Sequence, residues 1–280
     1  QFRSILNGDR CVYPGSVFDP ISARIAEDIG FEVGMFAGSI ASFTVLGAPD
    51  VIVLTLSEFA QQAQRINRSS ELPLMVDADH GYGNALNVKR TVEELEMAGV
   101  SGMSIEDTEL PQPFGSVGRT KLLSIPEGVG KMKAALDGRQ DPNLIIAGRT
   151  SAPGVTNMED ALERAMAYEK VGVDAIFLVG VKTKEQLEKI SDAISIPIIL
   201  GGGGSSDMMD LDYLSAKNVR ICLQGHQPFS AAVKAIYDTM KALREGTPTE
   251  ELQGIASAEL MGKVTKNNDY EDMFDKYLKY

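Results

Sequence analysis

The chain has 280 residues, 44% of them apolar, and a formal net charge of −12 at pH 7. That length is enough to bury one large core, and no apolar run approaches the ~20 residues of a membrane span. The negative charge argues against nucleic acid, whose phosphates are bound by clustered Lys and Arg, and suits a cation ligand instead.

Cys11 and Cys222 are the only cysteines. Two isolated thiols point to a reducing compartment and not to a disulfide framework. The opening QFRSILNGDR carries no apolar signal segment. The expectation is a cytoplasmic protein, with organelle import left open because the missing Met reads as a trimmed start.

Short apolar runs then recur along the chain: CVYPGSVFD, EVGMFAGS, PLMVDAD, SGMSIED, LIIAGRT, AIFLVG, IPIILGG and VRICLQG. Near-continuous runs of this length read as parallel strands buried on both faces. Between them lie segments such as SEFAQQAQRI, NVKRTVEELEMAG and MEDALERAMAYEKVG, whose apolar residues recur at helical spacing. Three stretches, AEDIGFEVGMF, LEMAGVSGMSI and YEKVGVDAIFL, each run helix, Gly, linker, strand, with Gly just past the helix end. Asn157 before Met158, followed by Glu159 and Asp160, predicts a helix start. Eight such units predict a (β/α)8 TIM-type barrel over residues 1–246. The rival, a doubly wound open sheet, needs a Gly-rich fingerprint after its first strand, and YPGSVFDP lacks one. Residues 247–280 predict a C-terminal helical extension that covers or exchanges with a neighbouring subunit. Packing on the chain's own outer ring is the alternative.

In such a barrel the chemistry collects at the C-terminal ends of the strands. The second run ends in Gly38–Ser39, the third in Asp77 and Asp79, the fourth in Glu106 and Asp107, and the fifth in Arg149; the eighth ends just before His226. Residues i and i+2 of a strand share a face, so Asp77 and Asp79 are both expected at the mouth, beside Glu106. Three converging carboxylates repel one another unless a hard cation neutralises them. Oxygen-only ligands favour Mg²⁺, with Mn²⁺ as a substitute. For Asp107 and His80 the expected role is capping the following helices. Arg149, behind a buried run, needs an anion, and its fork suits a carboxylate. An ion pair with one of the acids is the alternative. The backbone of residues 37–42 could meet the same anion, or form an ordinary tight loop. No run contains or ends in Lys, which argues against a Schiff-base aldolase. Cys222 reads as a core thiol. Gly201–Gly204 follow the seventh run and read either as an anion cradle or as a mobile turn. Residues 108–125 form a long Gly-containing loop of the kind that serves as a lid.

Taken together, DADHGYGN, SIEDTELPQPFG, IIAGRT, GSIAS and Asp50 in LGAPD resemble the isocitrate lyase/phosphoenolpyruvate mutase superfamily over about residues 10–240. The resemblance implies a (β/α)8 barrel, a homotetramer with an exchanged helix, Mg²⁺, and a small 2-oxo-acid substrate. It implies a metal shell of Asp50, Asp77, Asp79 and Glu106, with Asp79 as the direct ligand. It places Arg149 on the substrate carboxylate, with the Ser39, Ile40 and Ala41 backbone receiving it. The loop FGSVGRTKLL lacks the KKCGH-type cysteine of the lyases and the Asn-rich lid of the mutases. LVGV after strand six and Gly225–His226 are most similar to the oxaloacetate decarboxylase branch, although the glycines at 201–204 stand where that branch would carry an aromatic residue. The expectation is Mg²⁺-dependent decarboxylation of oxaloacetate, with His226 binding substrate or protonating carbon 3 and with Asp50 and Arg149 beside it. Cleavage of a substituted malate or methylisocitrate, phosphonopyruvate chemistry, and 2-oxo-acid binding without turnover are the alternatives.

Overall fold

A computed structural model describes residues 1–116, 118–202 and 206–279, without the side chains of residues 206 and 207. The chain divides into two compact units, Gln1–Gly225 and His226–Tyr280. The first unit begins α1 (Phe2–Leu6), β1 (Gly15–Ser16), α2 (Pro20–Asp28), β2 (Gly34–Phe36), α3 (Gly38–Ala41), α4 (Leu56–Asn67) and β3 (Leu74–Asp77). It continues α5 (Ala85–Met97), β4 (Gly102–Glu106), α6 (Ile125–Gly138), β5 (Ile145–Thr150), α7 (Ala152–Val155) and α8 (Met158–Val171). It ends β6 (Ala175–Leu178), α9 (Lys184–Ser191), β7 (Ile198–Leu200), α10 (Leu211–Ala216) and β8 (Val219–Cys222). The second unit holds α11 (Gln227–Arg244), α12 (Ala258–Thr265) and α13 (Asn267–Tyr277).

Each of the eight apolar runs yields one strand, and the strands pair in parallel in chain order, β1 to β8. Every residue of β3, β4, β6 and β7 is buried. That is why these strands read as continuous apolar runs and not as alternating ones. Val12, just before β1, joins the two ends of the sheet. Its N–H donates to the Arg220 carbonyl at 3.0 Å, and its carbonyl accepts from Cys222 at 3.1 Å. The sheet is thereby closed into the expected barrel.

Local chemistry sets the helix boundaries. Asp19 and Ser22 form a capping box at α2, with Pro20 in the first turn; Thr55 with Glu58 and Thr183 with Gln186 do the same for α4 and α9. Asn157 caps α8 as its sequence predicts. Gly30, Gly99 and Gly172, the glycines of the repeated signature, all take positive φ, at 91°, 85° and 102°. Each ends a helix in the left-handed conformation, where a Cβ costs energy. Helix α11, counted with the barrel in the sequence reading, groups with the C-terminal helices.

Helix α1 lies at the N-terminal ends of the strands. Arg3 reaches Asp174 at 2.9 Å and the Pro142 carbonyl at 2.7 Å. Phe2 is 2% exposed, and its ring occupies the space that a side chain at Gly102 would need. Removing that ring leaves a cavity against backbone that cannot collapse. Phe2→Ala is expected to cost about 3–5 kcal/mol of stability, read as a lower urea midpoint with an unchanged slope.

Candidate active site

Parallel register places the mouth residues side by side. Asp77 lies opposite Ser104, Glu106 opposite Arg149, and Arg149 opposite Phe177. The Arg149 guanidinium donates from one nitrogen to Asp77, and its other nitrogen forms an ion pair with Glu106 at 3.2 Å. Ser104 donates to the other Asp77 oxygen at 3.0 Å. Phe177 lies under the guanidinium, 5.4 Å from carbon to ring centroid. Burial works against the charged form of Arg149; the Asp77 and Glu106 carboxylates overcome it and hold the group protonated. Arg149 thus takes the ion-pair alternative and clasps two acids at once.

Asp79 departs from the expected placement. Strand β3 ends at Asp77, and Asp79 sits beyond it with φ 48°. The i/i+2 argument fails because the backbone has already left the extended conformation. The left-handed turn brings Asp79 to the acids by another route. Its carboxylate lies against Gly38, where any Cβ would collide with it. Asp77, Glu106 and Asp50 all raise its pKa, after burial as the largest cause, and Arg149 opposes them. Burial and then Asp77 raise Asp50 as well. The four acids therefore share one field.

Ser39, Ile40 and Ala41 fall in α3, a single helical turn. The Ala41 N–H donates to the Ala37 carbonyl at 3.0 Å, which corrects the expectation that this amide is open to an anion. Ser39 and Ile40 hold the first positions of the turn, where helical N–H groups lack a partner four residues back. A π-helical turn, Ser42–Leu46, follows directly.

The capping expectation for Asp107 and His80 is also corrected. Asp107 is fully buried and accepts from Arg164 at 2.8 Å and Tyr168 at 2.6 Å, both on α8. It is a packing anchor, because a carboxylate with no exposure must be paired. His80 is 2% exposed, and burial, with Lys131 nearby, lowers its pKa to about 4. It is a neutral core imidazole. The loop after β4 leaves and returns through a Thr108–Leu122 bridge, with Glu109 N–H donating to the Lys121 carbonyl at 2.8 Å. Cys11 and Cys222 are both free and buried, as expected of core thiols. Gly202 has φ 74°, whereas Gly203 and Gly204 lie outside the described residues, so the cradle reading of that loop is not addressed. His226 opens the second unit, at the N-cap of α11.

The sequence reading missed Lys131, Arg164, Tyr168 and Phe177. Lys131 carried a signal: it shares the buried face of α6 with Gly128, Met132 and Ala135, at helical spacing. A lysine in an apolar stripe marks a buried amine.

Among the described residues, no three acid, His or Cys side chains form a ready metal cage. The donor chemistry nevertheless fits a hard cation. Four carboxylates face one guanidinium, nothing among the described residues donates to the Asp79 carboxylate, and the buried Tyr82 hydroxyl has no partner. The raised Asp79 pKa has a consequence for the metal-free protein. Between its unfolded and its folded pKa, the folded chain holds a proton that the unfolded chain has released. That stabilising contribution is complete below the ordinary Asp range and is lost as pH rises through the folded value. In EDTA, the melting temperature of Asp79→Asn relative to wild type is expected to climb by a few degrees as pH rises from acid to neutral. A constant difference would show that Asp79 titrates normally.

A family profile for phosphoenolpyruvate phosphomutase matches residues 2–244. A protein of Rhodopseudomonas palustris named oxaloacetate decarboxylase is 59% identical over 264 residues, covering 94% of this chain and 91% of that protein. A solved structure of oxaloacetate acetylhydrolase with the inhibitor 3,3-difluorooxalacetate superposes with a TM-score of 0.87 at 27% identity, covering 100% of this chain and 96% of the other. A phosphonopyruvate hydrolase complex with oxalate and Mg²⁺ superposes at 0.86 and 26% identity, covering 99% and 98%. On this evidence the chain belongs to the phosphoenolpyruvate phosphomutase family.

Proposed function

We propose that this chain is a divalent-metal-dependent decarboxylase that converts oxaloacetate to pyruvate and CO₂. One observation carries the reading: a relative that is 59% identical is named oxaloacetate decarboxylase. The site adds a carboxylate clamp beside an excess of acids, and the loop of residues 108–125 has neither Cys nor His to serve a lyase as proton donor.

Asp77, Asp79 and Glu106, with Asp50 close by, would hold Mg²⁺ or Mn²⁺. The ion would supply Lewis-acid stabilisation of the charge that develops on the carbon-2 oxygen. Arg149 would exchange one of its present carboxylate partners for the carbon-1 carboxylate of substrate, with Phe177 keeping the fork in plane. The Ser39 and Ile40 amides would meet the same carboxylate. Breaking the carbon-3 to carbon-4 bond releases neutral CO₂ and leaves its electron pair in the enolate, which then takes a proton at carbon 3. His226 is assigned to bind substrate or to give that proton, supported by the Gly225–His226 resemblance alone. A homotetramer with exchanged C-terminal helices is part of the reading. Its support is α11, which buries no residue and exposes Val233, Ile236, Tyr237, Met240 and Leu243 along one stripe. A cytoplasmic site of action is supported by the free thiols, and no helix among the described residues is long and apolar enough to cross a membrane.

Arg149→Lys keeps the charge and loses the fork. With oxaloacetate and Mg²⁺ its kcat/KM is expected to fall tens-fold or more, as the loss of charge-assisted bonds of ~1.5–3 kcal/mol implies. Wild-type rates in that variant would remove Arg149 from the clamp. No CO₂ release by the wild type above the Mg²⁺-only background would remove the decarboxylase reading.

Burial raises the Cys11 thiol to about 12 and the Cys222 thiol to about 11, which leaves both unreactive at neutral pH. Iodoacetamide is expected to leave activity intact, and methylisocitrate to remain uncleaved. Prompt inactivation that substrate prevents would return the chain to the lyase branch.

A further inference from the structure

The turn that carries Asp79 is held in an uncommon conformation. Asp79, Gly81, Tyr82 and Gly83 all have positive φ, at 48°, 74°, 59° and 148°. For Asp79 and Tyr82 this costs energy that surrounding contacts must repay. The repayment is visible at the carbonyls. Ala78 accepts from Gly81 at 2.9 Å and Asp79 from the Glu106 N–H at 2.8 Å. Gly81 accepts from the Thr91 hydroxyl at 3.0 Å, and His80 accepts from the Lys131 ammonium at 2.8 Å. Four successive carbonyls are thus pinned from the turn itself, β4, α5 and α6.

The Lys131 contact is the costly one. Lys131 is 3% exposed, and among the described residues its ammonium makes this bond and no ion pair. Burying a cation costs several kcal/mol. A Met of similar length would fill the same space without that cost. Glu127 on its own helix, Glu106 at the end of β4 and Asp107 just after it act on the ammonium through their charges.

We infer that Lys131 is a positioning residue for the metal site: through the His80 carbonyl it fixes the left-handed turn that aims the Asp79 carboxylate at the acid cluster. The inference rests on the metal reading proposed above. It concerns a residue outside the acid set, acting through backbone.

The sign of one measurement separates it from its rivals. Lys131→Met deletes a positive charge beside a cation site, so electrostatics alone would make metal binding tighter. A merely structural lysine would change stability and leave metal affinity where it was. Positioning predicts the opposite of the first and more than the second. Loss of a partner that orients a ligand usually weakens metal binding 10–100-fold. The experiment is calorimetric titration of Mn²⁺ into the full-length chain without substrate, for wild type, K131M and K131R, with circular dichroism as the folding control. At least tenfold weaker binding in folded K131M, with K131R recovering part of the loss, is the expected result. Equal or tighter binding in K131M overturns the inference and leaves the decarboxylase reading standing. Absence of Mn²⁺ binding by the wild type overturns both. If K131M does not fold, K131Q removes the same charge with a polar tip, and the same sign decides.

Discussion

Arg149 sits where β3, β4 and β5 deliver their terminal side chains, and its guanidinium is the cation that Asp77 and Glu106 share. Two carboxylates on adjacent strand ends repel each other strongly in a buried site. The fork spans both, and Phe177 and Ser104 hold the members in place from neighbouring positions in the register. Arg149 makes no ion pair with Asp79 or Asp50; its field lowers both, but burial and the neighbouring carboxylates outweigh it and raise them, as burial raises Glu106. The guanidinium pairs with two acids where four converge. The surplus of acids is the charge that the proposed divalent cation would offset.

The same balance governs what surrounds it. A second buried acid, Asp107, follows Glu106 immediately, and its charge is met from α8 by Arg164 with help from Tyr168. Arg164 also donates to the Leu123 carbonyl at 2.9 Å, and Leu123 N–H donates back to the Asp107 carbonyl at 2.8 Å. The base of the long loop is therefore tied to the strand that carries Glu106. Removing one member of such a buried pair strands the other, at a cost of about 3–5 kcal/mol.

The strands were legible because both faces of a parallel barrel are buried, which writes each strand as an apolar run with its polar residue at the end. Asp77, Glu106 and Arg149 follow from that pattern alone. Asp79 did not, because strand periodicity carries no information past the last extended residue; the HGYG that follows marked the turn, and two of the turn's four positive φ values belong to non-glycine residues, Asp79 and Tyr82. Lys131 and Arg164 were hidden for another reason. A charge on a helix reads as solvated unless its place in the apolar stripe is checked, and its partner is many residues away in sequence, 51 for His80 and 57 for Asp107. The grouping of α11 with the C-terminal helices was invisible because an exposed apolar stripe and a buried one have the same sequence.

Closure of the sheet through Val12 has a mechanical meaning. β4 and β5 share a register of five residue pairs, whereas β8 meets the start of the chain at one bridged pair, Val12 with Ile221. In a ring of eight strands these two joints lie diametrically opposite. The ladder is thus longest beneath Arg149 and Glu106 and shortest at its seam. Opening of the ring is expected first at the seam, where the fewest bonds resist it.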